Sequence, residues 1–170
     1  MWMFSYLANG MNMKDVALLK YSNIVGDEIH FVRSKTSEST IDRQRIIQIC
    51  LQDELREIID RWGKRIQRPG CYIFDIIDEK DSSPFRIHKD IAQAIKSINI
   101  VIFKISREMK LEKRPTCNFA RHTYSTVLKR ANVPIEMISE NLGHTSIQTT
   151  EIYLDSFESE TRAEISKHLL

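Results

Sequence analysis

Six isoleucines recur three or four residues apart between Ile87 and Ile105, at Ile87, Ile91, Ile95, Ile98, Ile102 and Ile105. A chain carrying one apolar stripe over about five helical turns has to lay that stripe against other apolar groups, so the spacing predicts a long helix and makes it the most obvious core element. Leu51, Leu55, Ile58, Ile59 and Trp62 predict a second amphipathic helix. Its Asp53 and Glu54 come early and its Arg61 and Lys64 late, as the helix dipole prefers. From Asn23 to Cys50 the period changes to two. Ile29, Phe31, Arg33 and Lys35 then share one face of a strand, the polar Thr36 to Thr40 forms a turn, and Ile41 to Cys50 returns as the partner strand. The fold class expected is α+β, mainly helical, with a small antiparallel β-hairpin or sheet at one edge.

The remaining segments are shorter. Phe4 to Ala8 predicts the end of a helix closed by Asn9-Gly10, and Lys14 to Lys20 a further helix with Val16 and Leu19 inward. Arg65 to Gly70 is expected as a basic turn, Cys71 to Ile77 as a short apolar strand, Asp78 to Ser83 as an exposed loop and Lys110 to Arg114 as a basic linker. At 170 residues, 42% hydrophobic and 28% charged, the chain has the size and composition of one globular domain. Its net charge of +2 says little about partners, so the placement of the charges carries the argument. Cys50, Cys71 and Cys117 are odd in number and lack CxxC spacing, which argues against a disulfide framework or a zinc site and for reduced core residues. No apolar run approaches the roughly 20 residues needed to span a bilayer, and Met1-Trp2-Met3-Phe4 lacks a basic signal-peptide start. A cytoplasmic protein is expected, and Met1 falls so directly into the pattern Met1, Phe4, Leu7 that a domain cut from a longer chain is expected as well.

The chemistry lies between Thr116 and Tyr153. Phe119, Thr123, Val127 and Ala131 recur at helical spacing, which predicts a helix burying that side and presenting Arg121 about a third of a turn away. Pro134 opens the next helix, with Ile135, Ile138 and Leu142 as its inner stripe, and Gly143 stops it as a residue tolerant of left-handed dihedrals. Thr145 to Gln148 matches a capping box, so a third short helix is expected to carry Tyr153 about two turns beyond His144. A guanidinium, an imidazole and a phenol are thereby brought within possible contact, a set suited to an anionic substrate and a hydroxyl nucleophile.

Arg121-His122-Thr123, Leu142-Gly143-His144 and a tyrosine nine residues later resemble the signature of the tyrosine recombinases, the phage and transposon integrase family. In this order and spacing the pieces form a specific pattern. Gly10 to Leu19 and the Arg33-Ser34-Lys35-Thr36 hairpin extend the resemblance over nearly the whole chain, and Asn9-Gly10-Met11-Asn12 looks most like integrases from mobile elements of Bacteroides-type bacteria. The resemblance implies the tyrosine recombinase catalytic-domain fold over residues 1–170, preceded by an amino-terminal DNA-binding domain. It also implies site-specific recombination of double-stranded DNA without metal or cofactor. The partners it implies are other protomers in a synaptic tetramer and accessory DNA-bending proteins of host or element, with the nucleoid as the place of action.

In that chemistry Tyr153 attacks the scissile phosphate to form a 3′-phosphotyrosyl bond, while Arg121 holds two phosphate oxygens. His144 donates to the phosphate or assists the phenol, whose ordinary pKa is about 10, and Lys35 protonates the leaving 5′ oxygen. The family places an arginine where this chain has Asn12, with Asp15 three residues on matching the acidic position of the same motif. Arg33 lies by strand parity beside Lys35, so it either replaces the missing cation or is an exposed strand cation touching DNA backbone. Asn118 stands where the family has histidine or lysine, and is either a weakened site residue or a helix cap. His122 is expected to support the fold by hydrogen bonding. Two other readings stand beside the recombinase: a cleavage-deficient DNA-binding relic of the same fold, and a type IB topoisomerase that relaxes DNA alone.

Overall fold

The computed structural model describes residues 1–34, 45–81, 83–112, 114–144 and 146–151. Lys35, Thr145 and Tyr153 lie outside the described residues, as do the expected hairpin turn and the terminal helix that the helical spacing of Phe157, Thr161, Ile165 and Leu169 predicts. The described residues form helices α1 (Trp2–Leu7), α2 (Met13–Leu18), α3 (Asp53–Trp62), α4 (Pro84–Glu108), α5 (Phe119–Arg130), α6 (Ile135–Asn141) and α7 (Ile147–Glu151). Strands β1 (Ile24–Val25), β2 (Glu28–Val32) and β3 (Ile46–Cys50) make an antiparallel sheet in the order β1-β2-β3. The expected fold class is therefore observed, with β1 an additional edge strand that the alternation did not reveal at two residues long.

Register puts the apolar residues of the sheet opposite one another. Ile29 pairs with Ile49 and Phe31 with Ile47, and all four side chains are buried while their neighbours along each strand are more exposed. Period-two alternation on both strands thus gives the sheet one inward face. That face meets Phe4 of α1, Val16 of α2, Leu55 and Ile59 of α3, and Ile73 in one continuous core. The Phe4 and Phe74 rings meet edge to face at 4.9 Å. Asn9 and Gly10 both take positive φ just after α1, so the chain turns where the sequence placed its stop.

The long helix α4 forms over 25 residues, with the Ser83 hydroxyl accepting from the Arg86 amide and Pro84 in its first turn. Its stripe is less central than the spacing implies. Only Ile91 is fully buried; Ile87, Ile95, Ile98 and Ile102 are half-buried against the core, and Ile105 is 48% exposed. The helix lies on the core as an outer wall, so its periodicity reports which side faces inward and not how deeply that side sinks. The expected strand from Cys71 to Ile77 is not one. Tyr72 and Phe74 make isolated bridges to Lys20 and Gly63, two separate segments, so no ladder extends, although Tyr72, Ile73, Phe74 and Ile77 are buried. Cys50 and Trp62 are exposed, contrary to the core roles expected of them, because each sits on the outward phase of its element. No helix among the described residues is long and apolar enough to cross a membrane.

Leu55 is wholly inaccessible and faces the sheet, so Leu55→Ala is expected to cost about 2–5 kcal/mol, seen in urea unfolding as a lower midpoint at unchanged slope.

Candidate active site

Two helix ends and one strand end assemble the site. α1 and α6 each finish in a turn holding a glycine at positive φ, Gly10 at 64° and Gly143 at 62°. Carbonyls near a helix C-terminus have no partner within the helix and carry its negative end, so such a turn is a natural seat for a cation. Arg121 of α5 occupies both seats. One terminal nitrogen, Nη1, donates to Gly10 O at 2.9 Å, and the other, Nη2, donates to Leu142 O at 2.6 Å. Nη2 also lies 2.7 Å from His144 Nε2. Arg121 is 4% exposed, and a charge so placed is tolerated only with its hydrogen bonds made.

Arg121 is thus more deeply placed than the helical pattern of α5 suggested. Ala120, Arg121 and Ser125 form the buried face, while Val127 is 44% exposed and Ala131 lies at the surface. The apolar periodicity selected a neighbouring face because it gives no weight to a cation whose partners are backbone carbonyls. α6 follows expectation, with Ile138 and Leu142 buried and Ile135 half-buried.

His144 is 8% exposed and is held on both sides. Its Nδ1 lies 2.8 Å from Thr150 Oγ1, and its backbone amide donates to Ser139 O at 3.0 Å. Arg33 reaches the same turn. It follows Phe31 on the inward phase of β2, and its Nη1 donates to Gly143 O at 2.9 Å, so two guanidiniums bind successive carbonyls of one turn. Gly143 makes that approach possible, because a Cβ there would stand 2.3 Å from Ile47 Cδ1 and 2.7 Å from Arg33 Cδ. Beside Arg33, the Ser34 amide donates to the buried Asp15 carboxylate at 2.9 Å, which anchors the chain one residue before Lys35 to α2.

Asn12 caps α2, its side chain accepting from the Lys14 amide at 2.9 Å. Asn118 is exposed and stands at the N-cap position of α5 with helical dihedrals, its carbonyl accepting from the His122 amide at 3.1 Å while its side chain makes no cap bond. Asn12, Asn118 and Arg121 nevertheless line one cavity of about 170 Å³, together with Asn99 and Thr116. The His122 ring packs edge-on against Phe119 at 5.9 Å. Among the described residues, no three His, Cys, Asp or Glu side chains gather as a metal ion would require.

Sequence reasoning overlooked Thr150 and Tyr124. Tyr124 sits on α5 and its hydroxyl accepts from Asn141 Nδ2 at 3.1 Å, tying α5 to the end of α6. Burial pushes its phenol above the usual tyrosine value, with the Asn141 bond and the nearby Arg121 charge opposing that rise. The alternation of buried and exposed positions around Arg121 would have pointed to neither, since both act through polar contacts.

A family model described as the phage integrase family matches residues 2–160. A tyrosine recombinase of Thermosipho africanus is 28% identical over 124 residues, which cover 73% of this chain and 38% of that protein. Tyrosine recombinase XerC of a Shewanella species is 24% identical over 148 residues, covering 87% of this chain and 45% of that one. Among solved structures, the XerA recombinase superposes with a TM-score of 0.59 at 20% identity, over 96% of this chain and 55% of that chain. The Tn1549 transposon integrase, in complex with a circular intermediate DNA, superposes with a TM-score of 0.58 at 16% identity, over 97% and 57%. At such identities the structural likeness establishes the fold, that of a tyrosine recombinase catalytic domain. The chain spans between 38% and 45% of the length of the two relatives.

Two outcomes follow from the site's geometry. Gly143→Ala should destabilise the chain by about 1–3 kcal/mol, from a strained φ and the displacement of Ile47 and Arg33, measurable as a lower urea midpoint. Tyr124 holds its proton more tightly folded than unfolded, so its contribution to stability is complete below the ordinary phenol value and is lost as pH rises through the folded one. Stability should therefore fall at pH above about 10, and less steeply in Tyr124→Phe, when urea midpoints are compared across alkaline pH.

Proposed function

The chain belongs to the phage integrase family, and from that premise we propose that it is the catalytic part of a site-specific DNA recombinase, an integrase that cleaves and rejoins DNA through a 3′-phosphotyrosyl intermediate. The observation that carries this reading is the contact of a buried arginine, Arg121, with His144 across the Leu142-Gly143 turn, with Arg33 bound to the next carbonyl. Carbonyls carry no formal charge, so the bonds to Gly10 O, Leu142 O and Gly143 O orient the two guanidiniums. Preorganised positive charge of this kind stabilises the charge that develops on a phosphate during transfer.

In this mechanism the Tyr153 oxygen forms a bond to the scissile phosphorus and the bond from phosphorus to the 5′ oxygen breaks, so ester energy is conserved for rejoining. Lys35 supplies the proton that the leaving 5′ oxygen takes up, and His144 assists at the phenol or the phosphate. Arg121 clamps the non-bridging oxygens, and Arg33 supplies the cation that the family draws from the position of Asn12. Asn118, at the edge of the cavity shared with Arg121 and Asn12, hydrogen-bonds a phosphate oxygen without transferring a proton. The cations serve where a metal would in other phosphoryl-transfer sites.

The rest of the reading follows from the family. Residues 1–170 are the catalytic domain, with an amino-terminal DNA-binding domain before it. The substrate is double-stranded DNA, brought together by other protomers in a synaptic tetramer, with accessory DNA-bending proteins, in the bacterial cytoplasm at the nucleoid. The setting is integration of a mobile element of the Bacteroides type, on the strength of Asn9-Gly10-Met11-Asn12.

A nicked suicide DNA substrate tests the whole. The full chain should form a covalent DNA adduct, Tyr153→Phe none, and Arg33→Ala at least about 10²-fold less with DNA binding retained. Salt-sensitive retention of DNA without an adduct would identify a binding relic instead, and relaxation of supercoiled DNA by isolated monomers a type IB topoisomerase.

A further inference from the structure

One nitrogen of the His144 imidazole meets a partner of fixed polarity. A guanidinium can only donate, so the contact of Arg121 Nη2 with His144 Nε2 at 2.7 Å requires an unprotonated Nε2. A neutral imidazole lacking a proton on Nε2 carries it on Nδ1, and Nδ1 lies 2.8 Å from Thr150 Oγ1. The hydroxyl oxygen is therefore the acceptor there. Thr150 is wholly inaccessible and His144 nearly so, and an Nδ1 proton at that depth is costly without an acceptor. The neighbouring Thr149 has the same side chain and faces solvent.

We propose that Thr150 is a positioning residue: its hydroxyl accepts the Nδ1 proton of His144 and so supports the tautomer that Arg121 requires, with a bare Nε2 turned to the phosphate-binding arginine. The geometry stands by itself, while the catalytic consequence rests on the recombinase reading. In that reading Nε2 takes the proton that the Tyr153 hydroxyl gives up as its oxygen bonds to phosphorus, once Arg121 Nη2 has turned from Nε2 to a phosphate oxygen. Because Thr150 is on α7, three residues before Tyr153, the same bond joins the histidine turn to the helix leading to the nucleophile.

Long-range proton–nitrogen correlation spectra of the full chain labelled with ¹⁵N-histidine test this without reference to activity. The native chain and Thr150→Ser should both show His144 with a protonated Nδ1 and a bare Nε2. Thr150→Val takes the acceptor from the Nδ1 proton while Arg121 still donates to Nε2, so the Nδ1 resonance should shift and its proton exchange faster with water, and adduct formation on the nicked substrate should fall by about tenfold, less than the 10²–10⁴ that general acid–base catalysis contributes in full. Thr150→Ser should restore the adduct to native level, and Thr149→Val should leave both readouts unchanged. A native chain carrying its His144 proton on Nε2, or a folded Thr150→Val whose Nδ1 resonance and proton exchange match the native chain, overturns the proposal. If Thr150→Val does not fold, the native and Thr150→Ser spectra decide. Native tautomers as stated with no adduct from any form would defeat the recombinase reading and leave the assignment of Thr150 intact.

Discussion

A buried guanidinium sets the terms for this fold. Removing the Arg121 charge from water costs far more than one hydrogen bond returns, so the chain must supply several acceptors at fixed places before α5 can pack. It draws two of them, Gly10 O and Leu142 O, from the turns that follow α1 and α6. A single side chain on α5 thereby bonds to the turns that follow both α1 and α6. A Cβ at Gly10 would stand 3.1 Å from Arg121 Cα and 3.2 Å from Leu142 Cδ2, which shows how closely the three elements converge.

The same bonds explain how a site for an anion can be held inside a stable domain. Carbonyl dipoles at Gly10 and Leu142 stabilise the buried Arg121, and Gly143 O does the same for Arg33. The sheet contributes through register. Because Ile47 and Phe31 pair across β2 and β3, the next inward residue, Arg33, is delivered to the Gly143 turn, and Asp15 secures the following residue from the opposite side. Structural satisfaction and preorganisation of charge are thus one arrangement.

Much of this was legible from residue types and spacing. The strand alternation located Arg33 on the inward face, Gly143 marked the end of α6, and the order of Arg121, His144 and Tyr153 carried the family resemblance. The less legible parts share a physical cause. Apolar periodicity misjudged the inner face of α5 because Arg121 and Ser125 are buried by polar contacts that hydropathy counts against burial. It overestimated α4 because a stripe records direction and not depth. Cys71 to Ile77 has the composition of a strand, yet Lys20 and Gly63 each offer only one bridge. Thr149 and Thr150 are indistinguishable as letters.

Sequence alone determined the helical and strand periods, the positions of the left-handed turns, and the chemical groups available, since these depend on each residue and its near neighbours along the chain. Tertiary structure alone decided which carbonyls receive Arg121 and Arg33, which nitrogen of His144 bears the proton, and which threonine accepts it. Those outcomes depend on distances between groups up to 111 residues apart, and such distances are set only when the elements pack.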